Sequence, residues 1–226
     1  MADASLNTGH RERLREKLTQ AGGEALHDYE LLELYLFRSI PRRDVKPIAK
    51  DLIKRFGDLG GVASAPVKQL IQIKGISEKT AAELKLIQAL SERLSREQVI
   101  NRPVIASWSA LISYVRTAMQ HASTEQFRVL FLDRKNKLIA DEVLGKGTID
   151  HAPVYPREVV KMALAHEASA IILAHNHPSG DPTPSQADIE MTRTLIDVCK
   201  PFDIVVHDHL IVGRETTASF KTLGLM

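Results

Sequence analysis

The 226-residue chain is predicted to fold as an all-α N-terminal domain followed by an α/β sandwich around a mixed sheet. Three observations predict this. In residues 1–97 apolar positions recur at helical spacing, with capping residues between the runs. Within 104–226 helical runs alternate with short Val-, Ile-, Leu- and Phe-rich runs that read as strands. Between them Gln98-Val99-Ile100-Asn101-Arg102-Pro103 fits neither pattern, and 98–103 is the predicted linker. The composition is 44% hydrophobic and 26% charged, ordinary for a soluble globular protein. The length allows one large or two small domains, each with a modest core.

Net charge is only +2, so no global basic field argues for nucleic acid. Residues 1–97 carry 17 basic against 14 acidic side chains, and 98–226 carry 13 against 14. Such a weak asymmetry reads equally well as a solvated helix surface. No signal peptide opens the chain and no apolar run reaches transmembrane length, so no membrane role is expected. The single cysteine, Cys199, excludes an internal disulfide and fits a reducing, cytoplasmic setting. It lies in a helical pattern and is expected in a core.

In the N-terminal half, Thr8 to Leu18 reads as a charged helix with Arg11, Arg13, Arg15 and Lys17. Asp28 is the predicted cap of an apolar helix over Tyr29–Phe37. Asp44 opens another that ends at Phe56 before Gly57. A further apolar helix stops at Gly75, and Ser77 caps a second one carrying the small residues Ala81 and Ala82. Residues 70–85 resemble a helix-hairpin-helix motif. In that arrangement a Gly-containing turn and a helix N-terminus offer N–H groups to a phosphate. Lys74, Gly75, Ser77 and Lys79 are the candidate contacts to a DNA backbone, without sequence readout. A hairpin used only for packing has the same pattern.

In the C-terminal half, Ser107 is the predicted cap of a helix through about His121. Phe127–Leu132 and Leu138–Leu144, joined by Asp133-Arg134-Lys135-Asn136, read as an antiparallel hairpin. A loop through His151 and Pro153 leads to a helix begun by Pro156. Then come a buried strand over Ala170–Ala174, a helix to about Lys200, a strand over Ile204–Val212 and a short helix over Ser219–Leu223.

The chemistry concentrates in Ala174-His175-Asn176-His177-Pro178-Ser179-Gly180-Asp181-Pro182-Thr183-Pro184-Ser185-Gln186-Ala187-Asp188. At a strand end His175 and His177 share a face while Asn176 points away, and Pro178 keeps His177 extended. Thr183 is the expected N-cap with Pro184 at the first helical position, placing Ser185 and Asp188 on one helical face. Two imidazoles and one carboxylate are the number of protein ligands a catalytic zinc keeps when water holds the fourth position. A lone His-x-His would more often only satisfy backbone groups in a polar loop. Ser185 and Asp188 at their spacing favour the metal.

The pattern His-x-His, seven residues, Ser, two residues, Asp resembles the JAMM (MPN+) metalloprotease motif. With its surroundings, AHNHPSGDPTPSQAD, it resembles the RadC family over nearly the whole chain. The resemblance implies a JAMM/MPN-like, cytidine-deaminase-like sandwich holding one Zn²⁺ per chain on His175, His177 and Asp188. It implies that Ser185 helps to hold an oxyanion and that a glutamate on an early strand is the base. Glu125, heading the first strand, is the best-placed match. Glu142, beside Asp141 on the partner strand, is its rival.

His207-Asp208-His209 repeats the His-x-His spacing without a following Ser-x-x-Asp, so His207 and His209 are expected to line the pocket or support the ligands. His151 and Arg157 are further candidates for the cleft wall. The expected reaction is single-zinc hydrolysis of a peptide or isopeptide amide, with a protein or peptide as substrate and DNA as a partner linking the protein to repair or recombination. One alternative is a metal-dependent DNA nuclease, although such enzymes often use two metals about 3.5–4 Å apart. Another is a non-catalytic, DNA-associated scaffold. Neither the natural substrate nor the oligomeric state is legible in the chain.

Overall fold

A computed structural model describes residues 3–147 and 154–226. The candidate His151 lies outside the described residues. The chain divides into two compact units, 1–90 and 91–226.

The first unit is helical throughout. Its helices are α1 (Asp3–Ala21), α2 (Asp28–Leu36), α3 (Lys46–Phe56), α4 (Leu59–Ser64), α5 (Val67–Leu70) and the beginning of α6 (Glu78–Glu97). Leu32, Leu36, Val45, Leu52, Leu70 and Leu84 fill its core. His27, not Asp28, is the N-cap of α2, and it forms a reciprocal capping box with Glu30. Asp44 accepts from the Lys46 N–H, and Gly57 ends α3 at φ +94°, a conformation that favours glycine. Asp58, unremarked in the sequence, caps α4 by accepting from Gly61 N–H. Around the proposed hairpin, α5 ends at Leu70 rather than continuing to Gly75, and turns fill the interval. Gly75 has φ +103°, and Ser77 Oγ accepts from Thr80 N–H at the start of α6.

The second unit is a five-stranded mixed sheet covered on both faces. Its strands are β1 (Gln126–Leu132), β2 (Leu138–Lys146), β3 (Ala170–Asn176), β4 (Val205–Val212) and β5 (Thr217–Ser219), in the order β2-β1-β3-β4-β5. Of the four neighbouring pairs in this order β3 and β4 alone run parallel, and α9 (Gln186–Cys199) lies between them in sequence, as a crossover connection requires. The strand β5 was not anticipated, because three residues before a short helix carry almost no pattern. Residues 98–103 belong to this unit: Val99 is buried in its core, and Ile100 and Pro103 bridge to Leu138 and Lys137. Leu111, Val115 and Met119 of α7 (Trp108–Met119) pack with Leu130, Ile172 and Leu210 on one face. The other face packs Val129, Ile171 and Leu173 with Val159 and Ala163 of α8 (Pro156–Ala165) and Leu195 and Cys199 of α9. The strict alternation along β3 decides which residues face which layer. His175 therefore belongs to the α8–α9 side.

Candidate metal centre

The centre forms where the C-terminal end of β3 meets the N-terminal end of α9. Every residue of β3 is buried, since the strand lies inside the sheet with helices above and below. Beyond it the 177–185 loop turns back over the sheet. Its backbone is held by His177 N–H to Val212 C=O (3.0 Å) and Arg214 N–H to Gly180 C=O (2.9 Å). Gly180 supports the turn at φ +92°.

Thr183 does not cap α9. It donates from its N–H and its hydroxyl to Asp181 Oδ1, and the helix starts two residues later. Ser185 is the N-cap, in a reciprocal box with Asp188. Asp188 Oδ2 accepts from Ser185 N–H at 2.7 Å and from Ser185 Oγ–H at 2.6 Å. The Ser185 hydroxyl proton is thus engaged by the carboxylate, and Asp188 Oδ1 is turned towards His175.

Three side chains converge. His175 Nε2 lies 2.9 Å from His177 Nε2 and 3.2 Å from Asp188 Oδ1, and His177 Nε2 lies 3.6 Å from Asp188 Oδ2. Together they are a group able to hold a metal ion. The His177 Nδ1–H donates to the Asp181 carbonyl at 2.7 Å, since a carbonyl only accepts, so Nε2 is the atom it offers to the cup. The hydrogen bond to Asp188 raises the His177 pKa above the ordinary value, against the opposing effect of burial. Burial alone would raise the Asp188 carboxyl, but hydrogen bonds with His175, His177 and Ser185 bring it well below the usual range.

Glu125 stands half-buried just before β1. Phe127 pairs with His175, so continuing the antiparallel register sets Glu125 opposite His177, and its charge contributes to raising His177. Asn176, a buried residue without a role in the sequence reading, clamps the backbone on both sides of Glu125. Its Oδ1 accepts from Gln126 N–H at 2.9 Å and its Nδ2 donates to Thr124 C=O at 3.1 Å. Glu142 instead pairs with His166 at 2.7 Å, opposite Val129 and away from the cup. Arg157 lies on α8, its guanidinium exposed beside Tyr155 and Glu158.

His207 and His209 do not share a face. A bulge puts Ile171 opposite Val206 but Ile172 opposite Asp208, leaving His207 as the extra residue. His207 bonds Asn136 at 2.7 Å and lines a separate cavity of about 360 Å³ with Trp108, Asp208 and Lys221. Burial lowers its pKa, and the nearby Lys221 charge adds to the effect. His209 is completely buried behind His175, between Phe127 and Phe220, and that burial holds its pKa well below the ordinary value. His209 Nε2 is 2.8 Å from His175 Nδ1, and His209 Nδ1 is 2.6 Å from Thr192 Oγ1. Thr192, also missed, had one available signal: it follows Asp188 by four residues, one turn along the same helical face.

The predicted DNA-contact residues are in the first unit. Lys74, Ser77 and Lys79 are exposed around Gly75, which is half-buried.

Residues 105–225 match the RadC-like JAB domain, and residues 7–82 match the UPF0758 N-terminal family. The chain is 54% identical over 217 residues to a UPF0758 protein of Ruegeria pomeroyi, covering 96% of this chain and 97% of that protein. It is 55% identical over 213 residues to a UPF0758 protein of Rhodobacter capsulatus, covering 94% of this chain and all of the relative. A metal-capable His-His-Asp cup on a mixed sheet, behind a UPF0758-type helical region, accords with those matches, and the chain belongs to the RadC family.

Proposed function

We propose that this protein is a zinc-dependent hydrolase of peptide or isopeptide bonds, with one Zn²⁺ held by His175, His177 and Asp188. The observation that carries this reading is the convergence of three donors: His175 Nε2 lies 2.9 Å from His177 Nε2 and 3.2 Å from Asp188 Oδ1, and one ligand atom from each residue falls within 4.8 Å of the others. Tetrahedral zinc with ligands at about 2.0–2.1 Å has donor–donor edges of about 3.3–3.4 Å, inside that limit. Two imidazole Nε2 atoms 2.9 Å apart cannot both be bare, and either a shared hydrogen or a metal can bridge them. Bound there, zinc supplies Lewis acidity that brings the pKa of a coordinated water towards neutrality.

Glu125 takes the proton of the attacking water and delivers it to the leaving amine as the amide C–N bond breaks. Asn176 steadies the backbone that carries Glu125. Ser185 donates to the developing oxyanion, which requires its hydroxyl to turn from Asp188 as substrate arrives.

Elemental analysis of the purified protein tests the reading: one zinc per chain is expected, and loss of it in His177→Ala. Glu125→Ala is expected to keep the metal and lose about 10²–10⁴-fold in turnover against a panel of peptide and isopeptide substrates. A zinc-free protein after reconstitution would overturn the metal assignment, and normal turnover by Glu125→Ala would overturn the base. Two metals per chain would favour the nuclease alternative.

We further propose that the Gly75 turn contacts DNA phosphates, linking the hydrolase to repair or recombination. The support is the exposure of Lys74, Ser77 and Lys79 around a backbone turned by Gly75.

A further inference from the structure

The histidine behind the cup is tied to a hydroxyl on the helix that also bears Asp188, and the direction of the hydrogen bonds between them can be worked out. Thr192 Oγ1 lies 2.6 Å from the carbonyl oxygen of Asp188. A carbonyl only accepts, so the hydroxyl proton belongs to that bond. Thr192 Oγ1 must then accept from His209 Nδ1, 2.6 Å away. His209 has no solvent exposure and is enclosed by the Phe127 and Phe220 rings, a place for a neutral imidazole. With its one proton on Nδ1, its Nε2 accepts, and the donor at 2.8 Å is His175 Nδ1–H. His175 is left with a bare Nε2, the atom that faces His177 and Asp188.

We infer that Thr192 and His209 are positioning residues that fix His175 as its Nδ1–H tautomer, so that a hydroxyl touching no ligand donor atom tunes the metal affinity of the cup. The chain runs from the backbone of one ligand, Asp188, through Thr192 and His209 to the ring of another, His175. It therefore joins α9 to β3 outside the cup and holds the two ligands in one orientation. Reversal would need Thr192 to donate to His209, leaving two oxygens 2.6 Å apart with no hydrogen between them. Partners of this kind that orient a ligating histidine typically contribute about 10–100-fold in metal affinity.

This rests on the metal reading above, and the experiment separates the two. Zinc affinity is measured by competition with a chromophoric chelator for the wild type, Thr192→Val and Thr192→Ser. Side-chain ¹⁵N NMR of the metal-free wild type, above the titration range of histidine, reads the His175 tautomer directly. Expected are a loss of about 10–100-fold in affinity for the isosteric Thr192→Val, near-complete rescue by Thr192→Ser, and an Nδ1–H signature at His175. Equal affinity in Thr192→Val and wild type, or an Nε2–H tautomer at His175, would overturn the inference. A wild type that binds no zinc would remove the metal reading, while the NMR measurement would still decide the hydrogen-bond chain.

Discussion

At the scale of single residues, the cup is a proton site that a bound metal would have to empty. His177 holds its proton more tightly than an ordinary histidine because Asp188 accepts from it, and Asp188 is kept ionised by the same contacts. A ligating histidine must be neutral, so a metal bound as proposed would expel that proton. Zinc affinity is therefore expected to rise with pH through the raised His177 titration and to fall about tenfold per pH unit below it. The midpoint should lie above the ordinary histidine value of about 6.5. Chelator competition across neutral pH measures this, and an affinity that levels off already below that value would contradict it. The two histidines, Ser185 and Asp188 were legible because local spacing alone puts them on matching faces. Glu125 is 50 residues before His175, and Thr192 and His209 come from different elements, so no local period connects them to the cup.

At the scale of elements, two contacts hold the second unit in shape. Asp141 on β2 accepts from Arg96 Nε of α6 at 2.9 Å and from the Tyr114 hydroxyl of α7 at 2.7 Å, and it also accepts from Arg128 of β1. Burial would raise its pKa, but Arg96, Tyr114 and Arg128 outweigh that and hold it low. A depressed carboxyl stabilises the fold above its unfolded value of about 3.9, and the contribution is lost as pH falls through the folded value. Asp141→Asn leaves the half-buried Arg128 without its counter-ion and is expected to cost about 3 kcal/mol, read from urea unfolding. A cost below about 1 kcal/mol would show that the pair is dispensable. The second contact is between the loop over the cup and Gly213. A Cβ on Gly213 would meet Gly180 O at 2.4 Å and Pro182 Cδ at 2.8 Å. Gly213→Ala must push aside the turn that supplies the Asp181 acceptor of His177. We expect weaker zinc binding with the fold retained, and wild-type affinity in that variant would show that the loop moves without cost.

For the whole molecule, the two units are read from separate chemistries. The helical unit presents Lys74 and Lys79 beside a glycine turn, whereas the sheet unit carries the cup. If the turn meets DNA phosphates, duplex affinity should fall as salt rises, and Lys74→Glu/Lys79→Glu should weaken it and lower the salt slope by about 2. Fluorescence anisotropy with duplex DNA at several salt concentrations measures both, and an unchanged slope would remove the phosphate contact. Among the described residues, no helix is long and apolar enough to cross a membrane.

By itself the sequence determined the helical first half, the alternating second half, the His-x-His strand end and the Ser-x-x-Asp helix start, because periods of 2 and 3.6 residues place side chains without reference to the rest of the chain. Helix starts shifted by one or two residues where the cap depended on reciprocal bonds, as at His27–Glu30 and Ser185–Asp188. Only the tertiary structure decided that Glu125 lies just before the strand whose Phe127 pairs with His175, that a bulge parts His207 from His209, and that Thr192 closes a chain behind His175. Strand order, register and a single inserted residue settle those placements, and each arises from pairing between segments far apart in the chain.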